Sequence, residues 1–203
     1  TEYKTRNYTF VGAMNLHGIH IDGINHKGAT MKIGNCSNCT FTNQKLIFPT
    51  YSKEALESNP AGKQQNVPTT AVNGYNILLK NVQLMYTNNN GLIVRGNNVR
   101  VENCLIAWTD WIGSLKYSPL GAIGNHIVIT NTTVKYFGNA GIVTGIPNTA
   151  PSSPGEPAPV PQPMSNRYLE VSYCHIHHGG LIGMDTAALY TGGWNSAGQH
   201  WHH

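Results

Sequence analysis

The chain has 203 residues, of which 11% are charged, and a formal charge of +4. That length admits one sizeable core, and sparse charge with abundant Gly, Asn and Thr speaks against a coiled coil or helical bundle. The basic residues are scattered rather than gathered into a nucleic-acid-reading stripe, and no apolar run is long enough to span a membrane.

The first patterned segment, 19–24, is a short and irregular apolar alternation. Segment 39–46 then sets out a template: apolar, any, apolar, any, polar, two free positions, apolar. The template recurs at 77–84, 99–106, 127–134 and 169–176, so its starts are 38, 22, 28 and 42 residues apart. Aligned this way, Cys39, Ile77, Val99, Ile127 and Leu169 form one inward column. Phe41, Leu79, Val101, Ile129 and Val171 form a second, and Leu46, Leu84, Ile106, Val134 and Ile176 a third. The polar position is Asn43, Asn81, Asn103 and Asn131, with Tyr173 breaking the series.

Alternation alone implies half-buried strands. A shared Asn implies more, because amides stacked at strand spacing can hydrogen-bond their neighbours above and below. A second short strand follows three of the templates, at 91–94, 141–143 and 187–190. Strand, turn, second strand and return, repeated, predicts an all-β chain: a right-handed parallel β-helix forming a single solenoid domain over 1–203. Two insertions interrupt it, at about 49–73 and 147–163, the latter so rich in Pro (PNTAPSSPGEPAPVPQP) that it cannot join a ladder. Residues 199–203 (QHWHH) read as the opening of a further coil. With no evident cap at either end, a fragment of a longer β-helix is expected.

The four cysteines are Cys36, Cys39, Cys104 and Cys174. Cys36 and Cys39 make a C-x-x-C without a partner pair at metal-ligand spacing, so all four are read as small buried residues. His175 and His177 share one side of a strand, and His200 and His202 repeat that spacing. No third and fourth ligand is placed beside them and H-E-x-x-H is absent, so neither metal nor cofactor is expected.

Nine carboxylates are present. Glu2, Glu54, Glu57 and Glu156 fall in termini or loops, and Asp22, Glu102 and Glu170 on or beside outward strand positions. Asp110 follows a core strand, between Trp108 and Trp111, and Asp185 occupies the corresponding turn two templates later. Two coils span roughly 10 Å of stack. That is near the separation of about 6.5–9.5 Å at which inverting glycosidases hold their carboxyls. Lys135, Tyr136, His175, His177, His178, Tyr190, Trp194 and Trp201 crowd the same stretch. Flat rings with polar tips beside carboxylates are what a sugar site uses.

The segments VENCLIAWTD at 101–110, YCHIHHGG at 173–180 and DTAALY at 185–190 resemble the pectate-lyase-like superfamily of right-handed parallel β-helix proteins, especially its β-helical glycoside hydrolases. In that family, acidic residues from neighbouring coils serve as acid and base or nucleophile. The resemblance implies that role for Asp185 and extends it to Asp110. Ala187 stands where relatives often carry Gly, and Ala107 where they often carry His.

The expectation is a secreted or periplasmic glycoside hydrolase with Asp185 and Asp110 as its carboxylates. His177, His178, Lys135, Trp108, Trp111, Tyr190 and Trp194 are the expected substrate-binding residues, and a carbohydrate is the expected partner. One alternative is a polysaccharide lyase, which needs a base and a cation beside a uronate; Lys135, Arg95 and His178 are candidates. Another is a non-catalytic glycan-binding or adhesin β-helix. Sequons at Asn7, Asn38 and Asn131 permit glycosylation in a eukaryotic secretory route.

Overall fold

A computed structural model describes residues 9–49, 69–111, 118–145, 167–183, 186–191 and 198–202. These residues form strands and turns without a helix. The first passage of chain lays down β1 (Thr9–Met14), β2 (His20–Asp22) and β3 (Asn25–Lys27), and the next β4 (Thr30–Thr42) and β5 (Lys45–Ile47). Three further passages follow: β6 (Thr70–Lys80) with β7 (Gln83–Met85), β8 (Leu92–Glu102) with β9 (Leu105–Thr109), and β10 (Leu120–Thr130) with β11 (Thr133–Phe137). The last two give β12 (Ile142–Thr144), β13 (Glu170–Ser172) and β14 (His175–His177), then β15 (Leu189–Thr191) and β16 (His200–His202).

Every strand pairing is parallel. One sheet follows β1-β4-β6-β8-β10-β12-β15, with β2 on β4, β13 on β10 and β16 on β13; the other runs β3-β5-β7-β9-β11-β14. Each passage up to β14 therefore adds a rung to both sheets, and β15 and β16 extend the first sheet alone, an arrangement compatible with a parallel β-helix. The template columns emerge in register. Phe41 pairs with Leu79, Leu79 with Val101, Val101 with Ile129 and Ile129 with Val171. Leu46, Leu84, Ile106, Val134 and Ile176 align likewise across the second sheet. All these side chains are buried except half-buried Ile176. Each fully buried aliphatic side chain contributes about 1.5–3 kcal/mol.

Two differences from the sequence reading are informative. The short strand 91–94 is not separate from the template strand after it: β8 runs unbroken from Leu92 to Glu102 through Gly96. Strand β6 likewise begins at Thr70, inside the stretch 49–73 read as loop. The join depends on a glycine column. Gly74, Gly96 and Gly124 pair with one another at φ of 152°, 141° and 135°. A Cβ at Gly96 would lie 1.7 Å from the Gly74 carbonyl oxygen, so no other residue fits this stack. The remainder of the first insertion (50–68) and the whole of the second (147–163) lie outside the described residues.

The turns obey a five-residue rule. Positive φ recurs at Asn38, Asn43 and Phe48; Asn76, Asn81 and Tyr86; Asn98, Asn103 and Trp108; His126, Asn131 and Tyr136; and Tyr168, Tyr173 and His178. Gly18, Gly23 and Gly28 open the series. Asn tolerates this left-handed conformation, and its amide can bridge rungs. Asn103 donates from Nδ2 to Asn81 Oδ1 at 2.7 Å, Asn81 to Asn43 at 2.8 Å, and Asn43 to Asp22 Oδ1 at 2.7 Å. A parallel ladder joins Asn98, Asn76 and Asn38 at 2.9 and 2.6 Å. Asp22 thus ends the first ladder, and its hydrogen bonds from Thr42 and Asn43 hold its carboxyl below the ordinary carboxylate value.

Candidate functional site

The third left-handed column carries rings. Phe48 and Tyr86 stack with centroids 4.9 Å apart, Tyr86 and Trp108 lie 6.3 Å apart, and Trp108 and Tyr136 stack at 4.2 Å. Tyr136 continues to His178 at 5.0 Å, and Trp111 lies 5.9 Å from Trp108. Holding a bulky residue at positive φ costs roughly 1–2 kcal/mol. Each aromatic contact returns about 0.5–1.5 kcal/mol, so a continuous stack offsets the strain. The rings cover one another's faces and present mainly their edges.

Basic groups gather where this column meets the end of the second sheet. Lys135 and His177 are register partners on β11 and β14, and Lys135 Nζ sits 5.6 Å from the Tyr136 ring centroid. The ring of His177 lies 4.4 Å from that of His175 and 4.8 Å from that of His178. Desolvation first, then positive charge on His175, His178 and Lys135, lowers the His177 pKa below the ordinary histidine value. Among the described residues, no three His, Cys, Asp or Glu side chains are grouped to hold a metal ion.

The structure therefore brings together Trp108, Trp111, Lys135, His177 and His178, with Tyr136 at their centre. Tyr190 is exposed on β15 opposite Val143 and makes no ring contact among the described residues. Asp185 and Trp194 lie outside the described residues. Asp110 is fully buried, with φ of 56° and its N–H bonded to Asn89 O at 3.0 Å. Around it, Asn88 and Asn89 are buried, and Thr87 Oγ1 donates to Asn89 O at 2.9 Å. Its geometry in this layer is that of a turn-building residue.

Arg95 belongs to the first sheet, half-buried between register partners Asn73 and Ile123. Burial lowers its pKa. The sheet assignment separates it from Lys135 and His178. All four cysteines are free. Cys36, Cys39 and Cys104 are buried; burial pushes the Cys36 thiol up to about 12 and that of Cys104 up to about 11. Their place in the core accords with reading them as small apolar fillers.

Sequence reasoning placed the Asn ladder through Asn43 but missed the ring column and the ladder through Asn38. The signal was present: each template's polar position is followed five residues later by Phe48, Tyr86, Trp108, Tyr136 or His178. No helix among the described residues is long and apolar enough to cross a membrane. No family model, curated protein or solved structure matches the chain.

Proposed function

We propose that this chain is a stretch of right-handed parallel β-helix that binds a carbohydrate on its ring-bearing flank and hydrolyses it, acting in a secreted or periplasmic setting. The observation that carries the reading is the gathering of Trp108, Lys135, His177 and His178 around Tyr136, with Trp111 beside Trp108. Such a surface offers ring edges, an indole N–H, imidazoles and an ammonium to hydroxyl groups. Right-handedness follows from the strong preference of parallel crossovers for that hand. Asp185 and Asp110 are the proposed carboxylate pair, one as acid and the other as base or nucleophile.

A specific observation favours a second reading, in which the flank grips glycan without turnover: the complete burial of Asp110. A turnover assay over a glycan panel, read for reducing ends and ultraviolet absorbance together, separates these. Reducing ends lost in both Asp185→Asn and Asp110→Asn support the hydrolase. Loss in Asp185→Asn alone assigns Asp110 to the turn. Ultraviolet absorbance would move the assignment to a lyase, and binding without either signal to the non-catalytic module.

A further inference from the structure

A different corner of the fold holds a groove of about 490 Å³, lined by Asn15, His17, Asn35, Ser37, Tyr75 and Asn97 around the bare backbone of Gly74. It lies among the first four rungs, at the turn that precedes the Asn38 ladder. His17 bridges to Ser37, Ser37 pairs with Tyr75, and Tyr75 with Asn97, so four successive rungs contribute to it. Three rung steps of roughly 4.8 Å give it a length of about 14 Å, suited to a short oligosaccharide.

Its chemistry differs from that of the ring-bearing flank in two ways. First, among the described residues no Lys, Arg, Asp or Glu lines it, although the chain carries a net positive charge. Beside Leu16 and Cys36, the lining is of amides, hydroxyl groups and an imidazole, which both donate and accept hydrogen bonds. These groups are partly paired with each other: Asn35 Nδ2 donates to Asn15 Oδ1 at 2.6 Å, His17 Nδ1 meets Ser37 Oγ at 2.8 Å, and Asn125 Nδ2 donates to Asn97 Oδ1 at 3.0 Å. That pairing holds the side chains in place and does not use Asn35 Oδ1, His17 Nε2 or Asn97 Nδ2. Second, Tyr75 is 55% exposed and makes no ring contact among the described residues. Tyr86, Trp108 and Tyr136 stack on other rings, whereas Tyr75 is exposed without a ring partner among the described residues. An exposed ring beside fixed, uncharged donors and acceptors is the recognition chemistry of a neutral sugar: the ring takes the C–H face and the amides take the hydroxyl groups.

We infer that this groove is a second carbohydrate site, specific for a neutral oligosaccharide lying across the rungs with one sugar ring on Tyr75. The inference shares with the proposed function the premise that the ligand is a glycan, and it does not depend on Asp185 or Asp110. The test is titration of the chain with neutral hexaoses of glucose, xylose and galactose, and with a galacturonate hexaose as the charged control. It is run on wild type, Tyr75→Ala and Asn97→Ala, with thermal melts on each. Tyr75→Ala is expected to weaken neutral-hexaose binding about tenfold, the size of one ring contact, with an unchanged melt. Asn97→Ala, an independent variant, is expected to weaken it in the same direction. Turnover measured in parallel separates the two readings. Turnover that depends on Asp185, with binding indifferent to Tyr75 and Asn97, overturns this site and leaves the hydrolase. Neutral-glycan binding that depends on Tyr75 without turnover supports this site and removes the hydrolase. Failure of every neutral hexaose to bind, or preference for the galacturonate, overturns it.

Discussion

The side-chain amide of Asn103 donates to Oδ1 of Asn81 at 2.7 Å, and both residues hold left-handed backbone, at φ of 52° and 58°. Asn81 therefore performs two tasks at one corner: it bridges rungs and it accepts a conformation most side chains resist. Substitutions separate them. Asn81→Ala loses both ladder bonds, each worth about 0.5–1.5 kcal/mol, and adds about 1 kcal/mol of backbone strain. Asn81→Gly loses the same bonds without the strain. Chemical denaturation should rank Ala as the less stable by about 1 kcal/mol; equal stabilities would mean the left-handed turn is unimportant to the fold.

The glycine column makes a sharper demand. A Cβ at Gly96 would approach the Gly74 oxygen to 1.7 Å, and this neighbour is backbone in the next rung. At Gly28 the φ is 71°, but nothing lies within 4 Å of an added Cβ. Gly28→Ala should cost about 1 kcal/mol for the conformation alone. Gly96→Ala should exceed about 4 kcal/mol, the range reserved for gross steric conflict, or abolish soluble protein. Comparable costs at the two sites would show that the rungs slide apart freely there.

The thiols test the core from within. Cys36, Cys39 and Cys104 are at most 4% exposed, and burial raises the pKa of the Cys36 and Cys104 thiols. Reaction requires thiolate and access together. At pH 8 an aromatic disulfide reagent should leave these three unmodified in the folded chain, and denaturant should release all of them. Prompt reaction of native Cys36 or Cys39 would reopen a redox reading of the C-x-x-C.

Much of this architecture was legible because a buried column forces like residues to the same phase. Phe41, Leu79, Val101 and Ile129 could be aligned from the sequence since each must face the core at the same step of its rung. Asn43, Asn81 and Asn103 were legible for a related reason: an amide ladder needs the same side chain repeated. The ring column was harder, because Phe48, Tyr86, Trp108 and Tyr136 are chemically varied and bulky residues rarely adopt positive φ. The demand for Gly74 and Gly96 was not legible, since the neighbour that excludes a Cβ is remote in sequence. At the candidate site, proximity to Trp108 was legible for Trp111, but the burial of Asp110 was not. Whether a turn residue faces solvent or the layer beneath depends on Asn88 and Asn89, which belong to the preceding rung.

His26 gives the stability a pH dependence. It stands in the second-sheet column where Leu46 follows in register, and it is 5% exposed. Burial lowers its pKa below the ordinary 6.5, so the folded state favours the neutral ring. In the unfolded chain the imidazole takes up its proton near pH 6.5, before the folded state does. The contribution of His26 is therefore fully present above that pH and declines as pH falls below it, levelling off once the folded-state pKa is passed. Each kcal/mol lost should lower the Tm by about 2–4 °C in a chain of this size. His26→Leu extends the apolar column and removes this titration. Melts at pH 7.5 and 5 should show a smaller acid-induced fall in the variant than in wild type. His177, on the exposed flank, titrates in both proteins, so the difference between them reports on His26. An identical fall in the two would mean that the buried ring at the first rung accepts its proton without cost.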